Sequence, residues 1–203
     1  MESDIYKTIK SSSRGIYKEK GSRFTAFAFP ITNQEEIKPI IDRLRKENHE
    51  DKHHCYAYML GQARNIWRLN DDGEPSGTGG KPILGQINSY GLTNILIVVC
   101  RYFGGTLLGV TGLINAYKTA AQSAIKNSEI IEKTLQEYYR ISFPYTSIND
   151  VMKILKEEIT GQSEQRFDLY CSIKLNFRAS SKEEILPRLS RIEGLKFEYI
   201  ETR

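Results

Sequence analysis

Glycine placement is the strongest constraint on how this chain folds. Ten of its fifteen glycines lie between Gly73 and Gly112, a stretch of 40 residues in a chain of 203. Eight of them form two clusters, each leading into a segment of helical pattern. Glycine tolerates positive φ and close backbone approach, so these clusters predict ordered loops. In such loops successive backbone N–H groups stand exposed beside a helix N-terminus, an arrangement that binds anions. The remaining composition, 39% hydrophobic and 27% charged, is that of an ordinary globular protein and excludes collagenous and low-complexity classes. The length suits one large domain or two small ones.

The longest uncharged apolar run, Ile95 to Cys100, is far short of the roughly 20 residues that span a bilayer. No membrane helix is expected. The Met-Glu-Ser-Asp start lacks the pattern of a secretory signal, and Cys55, Cys100 and Cys171 are too few and too unevenly spaced for a disulfide framework. A cytoplasmic location is therefore the expectation. The net charge of +4 arises entirely in residues 1–133, with 18 basic and 14 acidic side chains, since residues 134–203 carry 11 of each.

The pattern changes near residue 134. Before it, Ile16 to Lys20 and Arg23 to Phe29 read as a hairpin about Lys20-Gly21-Ser22, ended by Pro30. Asn33 is placed to cap a helix with Ile37, Ile40, Ile41 and Leu44 on its apolar face and Glu35 and Glu36 in its first turn. Strands follow at Cys55 to Leu60 and Asn65 to Leu69, then a helix over Lys81 to Tyr90. Ile95 to Phe103 does not alternate and reads as a strand buried on both faces. Val110 to Asn127 is a helix with Leu113, Ile114, Tyr117, Ala121, Ala124 and Ile125 on one face, and Glu129 to Glu132 a short strand. After Lys133 the order is βαββαβ: Gln136 to Phe143, Ser147 to Glu158, Ile159 to Gln165, Asp168 to Phe177, Ser181 to Arg191 and Lys196 to Glu201. This is the order of the ferredoxin-like fold. Ser147 with Asp150 and Ser181 with Glu184 have the spacing of capping boxes. The division is thus 1–133 and 134–203, and the fold class α+β.

The first glycine cluster runs Asp71-Asp72-Gly73-Glu74-Pro75-Ser76-Gly77-Thr78-Gly79-Gly80-Lys81-Pro82. One reading is an anion cradle to which Lys81 adds charge, with Asp71, Asp72 and Glu74 binding Mg²⁺ to bridge a phosphate. The other is an ordered connection built from turn-forming residues. Neither the Walker A pattern nor the dinucleotide fingerprint is present. The second cluster runs Arg101-Tyr102-Phe103-Gly104-Gly105-Thr106-Leu107-Leu108-Gly109-Val110-Thr111-Gly112. Here Arg101 offers a planar fork to a phosphate or carboxylate. In the alternative reading, Gly104 and Gly105 form a tight turn, Gly109 and Gly112 let a helix approach the sheet, and Arg101 meets an acid such as Asp72. His53-His54-Cys55 offers little as a metal site, because strand neighbours point to opposite faces and no second group lies at zinc spacing. Cys100 and Cys171 read as buried hydrophobes. Tyr56, Tyr58, Trp67, Tyr102 and Phe103 with Arg64, Arg68 and Arg101 have the composition of a surface for single-stranded nucleic acid.

Asp71 to Ile83, followed by Val98 to Gly109, closely resembles the signature of the IMPACT family, in particular its bacterial YigZ/YvyE branch, and the likeness extends over roughly residues 15 to 130. The resemblance implies an N-terminal domain with the βαβ sandwich of GHMP kinases and of the fourth domain of elongation factor G, and a C-terminal domain like that factor's fifth. Eukaryotic IMPACT proteins regulate translation by competing for an activator of the kinase that senses uncharged tRNA, using an additional N-terminal domain that this sequence does not contain. Asp71, Asp72, Gly73, Glu74, Pro75, Ser76, Gly77, Arg101, Gly104, Gly105 and Gly109 match the family motif, which brings no catalytic assignment.

The leading expectation is a non-enzymatic module that regulates translation by binding RNA or the ribosome, with Lys81, Arg101 and the glycine loops as its binding face and no cofactor. The alternative is a Mg²⁺-dependent hydrolase or transferase of a phosphorylated or peptide-like small molecule, with Asp71, Asp72 and Glu74 as metal ligands and Arg101 orienting substrate. A third reading makes the acidic loop architectural and the ligand a protein partner in translation control.

Overall fold

The computed structural model describes residues 4–159 and 161–203. Met1 to Ser3 and Thr160, which the readings of the N-terminus and of the Ile159 to Gln165 strand include, lie outside the described residues. The chain divides into two compact units, one of residues 6–133 and one of residues 134–203 together with Asp4 and Ile5. The class is α+β.

In the first unit, β2 (Ser13–Glu19) and β3 (Ser22–Pro30) form an antiparallel hairpin. Its two turn residues, Lys20 and Gly21, both have positive φ, 47° and 78°, the conformation that matches a tight turn to strand twist. With β4 (His53–Leu60), β5 (Ile66–Asn70) and β6 (Ile95–Tyr102), the hairpin builds a five-stranded antiparallel sheet in the order β2-β3-β6-β4-β5. β6 is central and buried on both faces. Ile95, Ile97 and Val99 enter one core, Leu96, Val98 and Cys100 the other.

Helices α2 (Gly80–Ser89) and α3 (Gly109–Lys126) cover the first face. The buried face of α3 is Leu113, Ala116, Tyr117, Ala120, Ala121, Ala124 and Ile125. Ile114, expected on this face, is exposed, because it follows Leu113 by one residue, roughly 100° around the helix. On the opposite face α1 (Ile37–Glu47) seats Ile37, Ile41 and Leu44 in the core with Leu96, Val98 and Cys100. A 3₁₀ turn, Gln34–Glu36, leads into α1 and carries a capping box. Asn33 Oδ1 accepts from the N–H of Glu35 and Glu36, and Glu36 Oε1 accepts from the N–H of Asn33. A further strand that the pattern did not reveal, β1 (Ile5–Ile9), pairs with β7 (Ile130–Thr134) as a two-stranded sheet.

The second unit runs β8 (Gln136–Pro144), α4 (Ile148–Glu158), β9 (Gly161–Arg166), β10 (Tyr170–Arg178), α5 (Lys182–Ser190) and β11 (Lys196–Thr202). Its antiparallel sheet has the order β11-β8-β10-β9. Alternate residues of the two inner strands, among them Ile141, Phe143, Ile173 and Leu175, meet Val151, Leu155, Ile185 and Leu189 of the helices. The two expected serine capping boxes do not form. Ser147 and Ser181 each end a single 3₁₀ turn that runs straight into the helix, so their backbones are not in the extended conformation a cap needs, and neither side chain caps. Ser147 Oγ donates instead to the carbonyl of Glu193.

Asp4 is held in this unit by Arg178, at 3.0 and 3.1 Å, and by the Ser180 hydroxyl at 2.7 Å. The Arg178 hydrogen bond, with that from Ser180, lowers the Asp4 carboxyl to about 2 from its ordinary 3.8. A depressed folded-state pKa means that the stabilisation is complete above pH 3.8 and is lost as pH falls toward 2. Acid titration of the unfolding free energy should therefore be shallower across this window in Asp4→Asn than in the unaltered chain. Equal slopes would exclude Asp4 as a contributor.

Candidate functional site

The loop between β5 and α2 supplies its own anion. Asp71 accepts from the backbone N–H of Gly77 at 2.8 Å, Gly79 at 2.9 Å and Gly80 at 2.8 Å. Those N–H groups at the start of α2 belong to the cradle that the sequence offered to an external phosphate. Burial by itself would raise the Asp71 carboxyl, yet the three amide bonds outweigh it and hold the group below the usual carboxylate range. Gly79 is the residue this packing requires, since a Cβ there would stand 2.5 Å from Cys55 Sγ.

The other two acids are also committed, each elsewhere. Asp72 accepts from Arg45 of α1 at 2.8 Å and from the His54 N–H at 2.7 Å. Glu74 is buried, 2.6 Å from Arg101 Nη1, and accepts from the Tyr117 hydroxyl at 2.8 Å. Asp71, Asp72 and Glu74 therefore do not assemble the oxygen cluster required by the Mg²⁺ reading. Among the described residues no group of three His, Cys, Asp or Glu side chains is close enough to hold a metal ion. Gly73 and Gly77 take positive φ in this loop, and Ser76 and Lys81 lie exposed on its surface.

Arg101 is the main correction. Expected as an exposed anion partner, or as the partner of Asp72, it is 6% exposed and paired with Glu74. Strand alternation explains the choice. Arg101 shares its face of β6 with Val99 and Ile97, toward α2 and α3, whereas Asp72 bonds Arg45 on the opposite layer. The guanidinium lies 5.4 Å from the ring centroids of both Phe24 and Phe103. Tyr117 meets Phe24 edge to face at 5.1 Å. Burial raises the Tyr117 phenol and the Cys55 thiol, and pushes Cys100 up to about 12, so none of these groups ionises near neutrality.

The loop after β6 is a surface. Gly104 packs on the backbone of Gly21, linking it to the hairpin turn. Gly105 and Gly109 have positive φ, are exposed and have no close neighbour at the Cβ position, so Gly109 serves the turn and not helix–sheet packing. Leu107 is 81% exposed. The His53-His54-Cys55 run is dispersed: His53 Nδ1 meets the Asp72 carbonyl, Cys55 Sγ donates to the Asp71 carbonyl, and burial lowers the pKa of His54.

The exposed basic surface lies on the α1 side of the sheet, over β2 and β3. Arg14 lies over Phe27 at 5.6 Å, Arg23 over Tyr102 at 5.6 Å, and Arg43 of α1 over Phe29 at 5.5 Å. Ile16 and Lys18 share this face with Arg14 and are exposed. At the hairpin turn a groove of about 380 Å³ is lined by Lys18, Lys20, Arg23 and Tyr102, with Glu19 its one acid. Asp51 lies 3.7 Å from Arg23 and Glu47 lies 3.9 Å from Arg43, while Arg14, Lys18 and Lys20 have no acidic partner among the described residues. Of the aromatic and arginine set named from composition, only Tyr102 belongs here. Tyr58 and Arg101 are buried, and Trp67 is exposed on the other face of β5. The signal of this face in the sequence is the period-two spacing of Arg14, Ile16 and Lys18 opposite Arg23, Thr25 and Phe27.

Residues 20–125 match the Impact N-terminal domain, a stretch that contains both glycine loops, the Arg101–Glu74 pair and most of the sheet. This chain is a member of the IMPACT family. IMPACT family member YvyE of Bacillus subtilis is 32% identical to it over 152 residues, covering 75% of this chain and 70% of that protein. IMPACT family member YigZ of Escherichia coli is 34% identical over 138 residues, 67% of this chain and 68% of that protein. A crystal structure described as that of a hypothetical protein aligns at a TM-score of 0.70 with 26% identity, covering 97% of this IMPACT chain and 98% of the other.

Proposed function

We propose that this IMPACT protein regulates translation as a non-enzymatic cytoplasmic module, and that its ligand is RNA, free or within the ribosome, bound by the basic face of β2 and β3. The observation that carries the reading is the row of arginines stacked on aromatic rings beside cations without acidic partners. Stacked rings accept bases at roughly 1–3 kcal/mol each, and unpaired cations draw the phosphate backbone. Family membership supports translation as the context. Among the described residues no helix is long and apolar enough to cross a membrane. The binding face moves from Lys81 and Arg101 to the sheet, because the charge of Arg101 is neutralised by Glu74.

We read the first unit as the sandwich of GHMP kinases and elongation factor G domain IV, and the second as ferredoxin-like. The antiparallel order β11-β8-β10-β9 supports the second assignment. The exposure of Leu107, with Val110 beside it, supports a protein partner as a second reading.

Binding of single-stranded RNA should weaken with salt, and Arg14→Ala/Lys18→Ala should make the log–log slope shallower by about 1.4, two phosphate contacts at about 0.7 each. Lys81→Ala should leave the slope unchanged. Absence of binding at low salt, or an unchanged slope in the double variant, would remove the basis of this reading.

A further inference from the structure

Helix α1 covers only the middle of its face of the sheet. Beyond the flank opposite the arginine row, a trough of about 350 Å³ opens over β4 and β5, within the roughly 300–1,000 Å³ of small-ligand sites. Its floor is Tyr56 and Tyr58, alternate residues of β4, beside their cross-strand partners Asn70 and Arg68. One stripe of α1 forms its wall, with Ile37 and Ile41 apolar, Lys38 basic and Asp42 acidic.

Tyr58 brings a hydroxyl to the trough. It is 6% exposed and lines the trough, yet its hydroxyl has no hydrogen-bond partner among the described residues, in contrast to the buried Tyr117 hydroxyl, which donates to Glu74. The hydroxyl is not among the buried polar atoms left without a partner, so it is open to the trough and free to bond an incoming atom. Lys38 and Arg68 have no acidic partner among the described residues, whereas Arg45 at the end of the trough is held by Asp72.

We propose that this trough binds a nucleotide. A flat ring meets the Tyr56 ring and the apolar Ile37, an anion is met by Lys38 and Arg68, and Asp42 accepts from hydroxyls. Inorganic phosphate lacks the ring and the hydroxyls, and an uncharged planar molecule leaves both cations unused. A nucleoside 5′-phosphate carries all three features. It is available as a free mononucleotide or as one unit of an RNA strand. The site does not depend on the arginine row, which lies over other strands.

The test is calorimetric titration of the full chain with the four nucleoside 5′-monophosphates, with adenosine and ribose 5-phosphate as part-ligands, and with a single-stranded RNA tetranucleotide. A mononucleotide should saturate the protein, and removal of either base or phosphate should weaken binding about tenfold or more. Tyr58→Phe should weaken it several-fold and Arg68→Glu abolish it, both without change in thermal unfolding. Arg14→Ala/Lys18→Ala should bind mononucleotide normally, so that failure of this site and failure of the RNA face are read separately. A tetranucleotide binding more tightly than its monomers, and sensitive to Arg68→Glu, identifies an RNA unit as the source; equal affinities identify the free nucleotide. No saturation by any of these ligands up to about 10 mM, or unaltered binding in Arg68→Glu, overturns the proposal.

Discussion

Arg101→Met should lower the unfolding free energy by about 3–5 kcal/mol, because it leaves the Glu74 carboxylate buried without its counter-charge. The pair is 2.6 Å apart and both side chains are almost completely buried. Water does not compensate for the missing guanidinium, and the Tyr117 hydroxyl, 2.8 Å from the same oxygen, is the one remaining donor to Glu74 among the described residues. Replacing both partners, as Arg101→Met/Glu74→Leu, should recover most of the loss, since breaking a buried pair costs far more than exchanging the whole pair for apolar groups. Tyr117→Phe removes one hydrogen bond to a charged acceptor and should cost about 1.5–3 kcal/mol. Urea denaturation at neutral pH measures all three. A loss below about 1 kcal/mol in Arg101→Met would show that Glu74 is solvated, and would return Arg101 to the set of available anion contacts.

The second large effect is steric. An added Cβ at Gly104 would overlap the carbonyl carbon and oxygen of Gly21 and the N of Ser22, and one at Gly15 would overlap the backbone of Ser123 and Ala124. The obstructing atoms are mainly backbone within a hairpin turn and a helix, so no flexible side-chain end can move aside. Gly104→Ala and Gly15→Ala should each cost about 3 kcal/mol or more, at the upper end of overpacking. Gly85, exposed in α2 with nothing near its Cβ position, is the control. Gly85→Ala should stabilise by about 0.5–1 kcal/mol through helix propensity. If all three substitutions cost the same, backbone approach is not what glycine provides at these positions.

Much of the architecture was legible in the residues. The hairpin at Lys20-Gly21, α1 with the Asn33-capped 3₁₀ turn that leads into it, the doubly buried β6 and the βαββαβ succession each follow from features a few residues apart: a turn dipeptide, a helical or strand period, an uninterrupted apolar run. The failures share one property. The Ser147 and Ser181 boxes had the right spacing but the wrong backbone, because a 3₁₀ turn begins each helix one turn earlier. β1 was missed because its partner β7 lies more than 120 residues away.

The site was less legible than the fold. Both glycine loops are legible from glycine spacing, and turns and close backbone approach are among the uses that spacing allows. Which acid met Arg101, and whether the amides before α2 were free, was decided in three dimensions. Asp71 reaches back to Gly77, Gly79 and Gly80, and Glu74 reaches β6 and α3. Local periodicity is set by each segment burying its own apolar side chains, and it can be read along the chain. The partner of a charge depends on which face of the sheet it occupies and which strand lies beside it. Register and layer order determine both, and they exist only once the strands have paired.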